Sequence, residues 1–313
     1  MSNAYYDNLP ETPATVLSRT LTIPGLKLLG KIGDGGTSTV WKAWDAAHER
    51  LVAVKILNRE FASDGEDVRL FRSEERMMEE IHHPGIVEAY GFDGTGETWY
   101  YVMEYVNGYS FSELLRRKQH VREADCLLIC ESIAAALNYA WNDHGIVHCD
   151  IKPENIMVNT EGTIKLLDLG ISHQFEYREG PQAVPEHVLG TPAYISPEQV
   201  YGDVELDCRS DIYSLGATIY HLATGRVLFA NLSNDDTMRA HCNEGTQAHD
   251  PRAYRPELSE GFCQLLESML VKNRDCRVAN WKDIFSMCQE VERGIIFKPR
   301  AINGANSSIK LFS

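Results

Sequence analysis

Positive charge is scarce in this sequence: 30 lysines and arginines stand against 45 aspartates and glutamates among 313 residues, a net charge of −15. Such a surface repels phosphate backbones, so nucleic-acid binding has little electrostatic support. Long apolar runs are also missing. None approaches the ~20 residues needed to cross a bilayer. Residues 1–15 are polar and carry Pro10 and Pro13 where a leader would be basic and then apolar. The expectation is a chain with no membrane segment, working in the cytoplasm. The eight cysteines form no double pair at zinc-finger spacing. A chain of this length, 43% hydrophobic, buries a core without a disulfide framework, so the cysteines are expected to be reduced thiols. There is no internal repeat and no low-complexity tract, and the composition is ordinary for a globular protein. Disorder, collagen and coiled coil are set aside on that ground.

What is present falls into two parts. Residues 1–25 read as an irregular lead-in. Strand-like runs follow at Leu26–Ile32, Val40–Asp45 and Leu51–Leu57, separated by a glycine-rich turn at Gly33–Gly36 and a polar one at Ala46–Arg50. Phe61–Ile81 has helical periodicity, with Val68, Phe71, Met78 and Ile81 near one face, and His83-Pro84-Gly85 stops it. Two more strand-like runs, Ile86–Phe92 and Thr98–Tyr105, flank a turn at Asp93–Gly96. After Asn107-Gly108 the pattern becomes helical, at Phe111–Arg117, Ala124–Asn142, Ile212–Ala223, Gly261–Leu270 and Trp281–Val291, with a short strand at Ile164–Leu167. The expected fold class is α+β: a small β-rich lobe over 26–106 and a larger α-rich lobe over 107–292, with a tail over 293–313.

The chemistry-bearing residues come in a fixed order. Gly33, Gly35 and Gly36 lie between two strands, where glycine lets backbone N–H groups approach phosphate oxygens. By itself a glycine-rich hairpin is as readily a tight turn. Lys55 ends the apolar run Val52-Ala53-Val54-Lys55, where an ammonium must snorkel, pair or bind an anion. Glu74 on the following helix is a candidate counter-ion. The decisive run is His148-Cys149-Asp150-Ile151-Lys152-Pro153-Glu154-Asn155, followed after a short strand by Asp168-Leu169-Gly170. Phosphoryl transfer needs metal ligands, a group to orient a hydroxyl, and cations on the phosphates. Asp150 can accept a hydroxyl proton, and Lys152 can sit on the transferred phosphate. Asn155 and Asp168 supply the hard oxygen donors that magnesium favours. Any one of these residues could be a turn or a cap, but the ordered set is not explained that way.

In these motifs the sequence resembles the eukaryotic-type serine/threonine protein kinases, most closely bacterial members, over about residues 26–292. The resemblance implies a bilobal kinase fold, ATP and Mg2+ as cofactors, and protein substrates. It makes Gly33, Gly35 and Gly36 the loop over the phosphates. Lys55 contacts the α- and β-phosphates and pairs with Glu74. Asp150 is the catalytic base or orienting carboxylate, Lys152 neutralises the γ-phosphate, and Asn155 and Asp168 hold magnesium. Val40, Ala53 and Met157 sandwich the adenine, Met103 stands at the back of the cleft, and the Glu104 and Val106 backbones bond the purine edge. Gly190-Thr191-Pro192 to Ser196-Pro197-Glu198 closes the activation segment. In it, Thr191 contacts the catalytic aspartate and lysine, and Glu198 pairs with Arg277. Asp211 braces the catalytic-loop backbone. Serine/threonine preference rests on Lys152 and Thr191.

Three departures bear on activity. Ser38 replaces the third glycine of the phosphate loop, adding a side chain near its tip that is expected to stiffen it. Leu169 replaces the commoner phenylalanine and is expected to keep an apolar contact with His148 and Met78. Cys149 replaces the arginine that in the family receives an activation-loop phosphate. Between Ile171 and Gly190 the hydroxyl-bearing residues are Ser172 and Tyr177. Together these imply a kinase that does not need phosphorylation in that loop. Because a neighbouring aspartate raises a thiol pKa, Cys149 is expected to be small apolar filler rather than a redox thiol. The competing readings are a pseudokinase scaffold, which the presence of Lys55, Asp150, Asn155 and Asp168 disfavours, and a small-molecule kinase, which the Gly190–Glu198 segment disfavours.

Overall fold

The computed structural model describes residues 22–95, 98–168, 190–203 and 205–294. The expectations for residues 1–21, for Leu169 and the stretch to residue 189, and for the tail beyond 294 lie outside the described residues. The described residues divide into two compact units, those up to Val68 with Gly91–Tyr105, and Arg69–Tyr90 with those from Val106 onward.

The first unit is a five-stranded sheet in the order β1-β2-β3-β5-β4, from β1 (Leu26–Asp34), β2 (Ser38–Asp45), β3 (Arg50–Leu57), β4 (Ala89–Thr95) and β5 (Thr98–Glu104). β3 is central and apolar on both faces: Val52, Ala53, Val54, Ile56 and Leu57 are all buried. The β1–β2 hairpin closes through Gly35, whose N–H donates to the Ser38 carbonyl at 2.8 Å. A Cβ on Gly35 would lie 3.2 Å from that carbonyl, closer than an ordinary contact, so a side chain there would press on the turn. Ser38 directly follows the turn Gly35–Thr37. It is buried at the start of β2, and its backbone closes the turn. The second hairpin is fixed by Asp45, which accepts from the N–H groups of Ala47 (3.1 Å) and His48 (3.3 Å).

The second unit contains α1 (Gly65–Glu79), entered through its first turn, and then α2 (Phe111–Lys118), α3 (Glu123–His144), α4 (Pro197–Tyr201), α5 (Cys208–Thr224), α6 (Asn234–Cys242), α7 (Glu260–Met269) and α8 (Trp281–Glu292). A small sheet, β6 (Gly108–Ser110), β7 (Ile156–Asn159) and β8 (Ile164–Leu166), is antiparallel throughout. α5 is buried on every side, so it forms the centre of the core rather than an amphipathic wall. α3, α7 and α8 contribute Ile133, Leu137, Phe262, Leu266, Trp281 and Ile284 to the same core. None of the described helices is long and apolar enough to cross a membrane.

Some elements differ from the sequence-based reading for clear reasons. The helix expected at Phe61–Ile81 starts only at Gly65, because Asp64 turns the chain by accepting from the Glu66 N–H at 2.7 Å. The strand expected from Ile86 starts at Ala89. Ile86 and Val87 join β8 instead: Val87 N–H donates to Leu166 O (3.0 Å), and Leu166 N–H donates to Gly85 O (2.8 Å).

One core residue carries a pH signature. His241 is fully buried, with Nδ1 2.7 Å from Tyr213 Oη and its ring edge-on to Phe229. Burial, reinforced by the Lys272 ammonium, holds its imidazole down at about 3 against an ordinary 6.5. Between those values the unfolded chain binds the extra proton. The stability is therefore fully present above pH 6.5 and falls as pH drops toward 3. His241→Gln should flatten the fall of urea-unfolding free energy across that window by up to about 1.4 kcal/mol per pH unit, one proton's worth. An unchanged slope would contradict this account of His241.

Candidate active site

Asp150 lies in the loop between α3 and the short 3-10 turn Pro153–Asn155. The backbone that carries it is satisfied group by group. Asp211, at the start of α5, accepts from the N–H groups of His148 (Oδ2, 2.7 Å) and Cys149 (Oδ1, 2.9 Å). Burial pushes the Asp211 carboxyl up, against those two N–H groups, which favour its charged form. Asp150 N–H donates to His148 Nδ1 at 3.2 Å, and His148 Nε2 donates to Leu167 O at 3.0 Å, which fixes the Nε2–H tautomer. Thr218 Oγ1 donates to Ile151 O at 3.1 Å, and Asn155 Nδ2 donates to Asp150 O at 2.9 Å.

The Asp150 carboxylate, 12% exposed, is met by three donors. Lys152 Nζ lies 2.6 Å from Oδ2, Asn155 Nδ2 3.2 Å from Oδ2, and Thr191 Oγ1 2.8 Å from Oδ1. Lys152 Nζ also donates to Thr191 Oγ1 at 2.9 Å, closing a triangle of Asp150, Lys152 and Thr191. With Nδ2 committed to Asp150, the Asn155 amide oxygen is the atom that could hold a cation. Asp168 follows β8 in a left-handed conformation (φ 54°), one residue after Leu167, whose N–H donates to Asn155 O at 2.8 Å. The two oxygen donors are thereby tied to one backbone framework, and both are of the hard type that magnesium takes.

Cys149 occupies the left-handed region at φ 65° and is buried, its Sγ 3.7 Å from Val147 O. Burial pushes its thiol well above the ordinary range, and the carboxylates of Asp211 and Asp150 push the same way. A thiol so placed is an inert packing group.

The segment after residue 189 is anchored beneath this loop. Ser196 caps α4 with Pro197 at its first position, and a reciprocal capping box joins Ser196 to Gln199. The ion pair expected between Glu198 and Arg277 is present, bidentate at 2.6 and 3.0 Å. Burial raises the Glu198 carboxyl, but the Arg277 guanidinium outweighs it and the net direction is down.

In the first unit, Val40 pairs with Lys55 across β2–β3, and Ala53 and Lys55 pair with Met103 and Tyr101 across β3–β5. Val40, Ala53, Lys55 and Met103 therefore share one face of the sheet. Glu104 ends β5, opposite Val52, and Lys55 Nζ stands 5.5 Å from the centre of the Tyr101 ring. A Cβ on Gly33 would meet Val40 at 3.3 Å, whereas one on Gly36 would meet open space. In the second unit, Glu74 is buried on α1, Val106 is buried before β6, and Met157 lies on β7 between Ser110 and Lys165. Sequence reasoning does not single out Thr218 or Gln199. For Gln199 a signal existed, the Ser-x-x-Gln capping pattern at Ser196. For Thr218, deep in α5, there was none.

This fold, a β-sheet N-terminal lobe and a helical C-terminal lobe, is that of the protein kinases. The protein kinase domain model matches residues 26–289, and the chain belongs to that family. A probable serine/threonine-protein kinase of Clostridium acetobutylicum is 40% identical over 201 residues, 64% of this chain and 30% of the relative. Serine/threonine-protein kinase PknA of Mycobacterium tuberculosis is 35% identical over 247 residues, 77% of this chain and 55% of PknA. Serine/threonine-protein kinase PrkC of Bacillus subtilis is 36% identical over 246 residues, 79% of this chain and 36% of PrkC. This chain thus spans between about a third and about a half of the length of these relatives. Among solved structures, the Mycobacterium tuberculosis PknI kinase domain matches with a TM-score of 0.66 at 22% identity, covering 88% of this chain and 99% of that one, a likeness of fold.

Proposed function

We propose that this chain is a serine/threonine protein kinase that transfers the γ-phosphate of ATP to hydroxyls of protein substrates. The observation that carries the reading is the closed cluster of Asp150, Lys152, Thr191 and Asn155, with Asp168 one residue after the Leu167 that bonds Asn155 O. Asp150 orients the incoming hydroxyl and accepts its proton as the new P–O bond forms. Lys152 Nζ already holds the Asp150 carboxylate and can turn to a γ-phosphate oxygen as charge develops there. Asn155 Oδ1 and Asp168 would hold magnesium, which when bound supplies charge neutralisation on the phosphates.

For the nucleotide we propose the roles that the motifs imply. Gly33, Gly35, Gly36 and Lys55 serve the phosphates, with Glu74 as counter-ion to Lys55. Val40, Ala53, Met157 and Met103 serve the adenine, with the backbones of Glu104 and Val106 on its polar edge. The lobes over 26–106 and 107–292 would be the nucleotide and catalytic lobes. A cytoplasmic setting agrees with eight free cysteines. Incubation with γ-labelled ATP, magnesium and a generic acceptor protein tests the reading. Label is expected in the protein, and its absence under conditions where ATP binds would favour the scaffold reading.

Competence without an activation-loop phosphate is part of the proposal. A buried thiol at position 149 offers no cation to a phosphate. Phosphatase-treated enzyme, and the Ser172→Ala/Tyr177→Phe variant, should keep kcat/KM within about twofold of wild type. A tenfold loss restored by rephosphorylation would contradict this.

A further inference from the structure

We propose that Gln199 is a positioning residue for Asp150, a neutral clamp that ties the catalytic loop to the end of the activation segment without a phosphate. The inference rests on the kinase reading above. Its starting point is the peptide plane between Cys149 and Asp150. Cys149 is held at φ 65°, a conformation that a non-glycine residue keeps only when its surroundings over-determine it. Its N–H is fixed by Asp211 Oδ1 at 2.9 Å. Its carbonyl accepts from Gln199 Nε2 at 2.8 Å, a bond across 50 residues of sequence. The N–H on the far side of that plane belongs to Asp150 and donates to His148 Nδ1. The plane that carries Asp150 is thus pinned at its oxygen by Gln199 and at its nitrogen by His148.

Gln199 is itself fixed. It is buried, and its Oε1 accepts from Ser196 N (3.2 Å) and Ser196 Oγ (3.0 Å). Flipping the amide would face Nε2 toward the Ser196 N–H and Oε1 toward the Cys149 carbonyl, losing the bonds to both backbone groups, so the orientation is determined. Gly190 lies on the same contact at φ 120°. A Cβ there would stand 3.3 Å from Cys149 O and 3.4 Å from Gln199 Nε2. Both ends of the described segment from Gly190 to Gln199 therefore pack on the one carbonyl.

The bland alternative is that Gln199 only completes the capping box of α4. Capping uses Oε1 alone, whereas Nε2 is spent on the catalytic loop. Gln199→Glu separates the two roles. Glutamate keeps the acceptor and the standard box, but it replaces the Nε2 donor with an oxygen facing an oxygen. Below the carboxyl's pKa, an O–H can donate to Cys149 O again. The ionisable groups acting on Cys149 are Asp150, Asp211 and Glu198, the last paired with Arg277, and all are shared with wild type, whose pH profile is the control.

The expected result for Gln199→Glu is a kcat at least about tenfold below wild type near pH 8, with nucleotide Kd and ATP KM within about twofold. Part of the loss should be recovered toward about pH 6, relative to wild type. A kcat within about twofold of wild type at each pH overturns the clamp, as does an equal loss of nucleotide affinity or a loss that does not change with pH. Should the glutamate variant fail to fold, Gln199→Met, which keeps length and burial but has no donor, takes its place. The same kcat loss at intact nucleotide affinity is then expected, and a retained kcat overturns the clamp. An inactive wild type removes the kinase reading and the clamp with it, whereas an active wild type with an unaffected variant removes the clamp alone.

Discussion

Asp150→Asn is expected to lower kcat by about 10²–10⁴-fold, the range of a lost general base, while nucleotide affinity stays within about twofold. At about 1.4 kcal/mol per decade this is about 3–5.5 kcal/mol of transition-state stabilisation. Two effects add. An amide cannot take the hydroxyl proton. It also offers one oxygen where Lys152 and Thr191 use two, at 2.6 and 2.8 Å. If the amide turns its N–H2 group toward Lys152, the ammonium loses its acceptor and meets a donor; if it turns that group toward Thr191, whose oxygen can accept, the Thr191 O–H loses its acceptor. Steady-state kinetics paired with calorimetric nucleotide binding reads both quantities. A kcat loss below about fivefold would mean that the carboxylate neither orients the hydroxyl nor takes its proton.

Arg277→Met is expected to destabilise the fold by about 3–5 kcal/mol, the cost of leaving a buried charge without its partner. Arg277 uses every N–H of its guanidinium. Nε donates to Val271 O, the two terminal nitrogens hold Glu198 bidentately, and they also donate to the carbonyls of Arg209 and Lys272. Its side chain is 0% exposed and that of Glu198 4%. Methionine fills much of the volume but strands the carboxylate, which then has Ser210 Oγ at 2.8 Å as its remaining described side-chain donor. The Glu198→Gln/Arg277→Met double variant should be less destabilised than Arg277→Met alone, because no unpaired charge is left. The acid limb supplies a second readout. The Glu198 carboxyl sits below its ordinary 4.5, so the pair's contribution is fully present above that pH and is lost as pH falls through the lower folded value. Urea titrations across this range measure both, and a cost below about 1 kcal/mol for Arg277→Met would show that the pair is not the anchor of the segment.

Much of this is written locally in the chain. The strands of the first unit follow from alternation broken by glycine and polar turns, and β3 from an unbroken apolar run. The helices α3, α5, α7 and α8 follow from their apolar content. Elements without a local signature were not legible. α6, Asn-Asp-Asp-Thr-Met-Arg-Ala-His-Cys, has no apolar stripe and buries Thr237, Ala240 and His241. β6 has three residues, too few to show a period, and β7 continues directly from the 3-10 turn that carries Asn155. The site divides the same way. Asp150, Lys152 and Asn155 stand within one run, so spacing groups them. The contacts that hold them in place cross 39 to 67 residues, from Thr191, Gln199, Asp211 and Thr218, and no spacing rule reaches that far. Ser38 shows the limit most simply. Its replacement of a glycine is plain in the sequence, but its burial beside the turn at the start of β2 is a property of the folded sheet.

The central claim is that the cluster around Asp150 performs phosphoryl transfer to serine or threonine. Its most direct test is phosphosite mapping by mass spectrometry after incubation with ATP, magnesium and an acceptor protein, run in parallel on wild type and Asp150→Asn. The predicted result is phosphoserine or phosphothreonine with wild type and essentially none with the variant, at equal nucleotide occupancy. Equal phosphorylation by the two proteins, or none by either while both bind ATP, would contradict it.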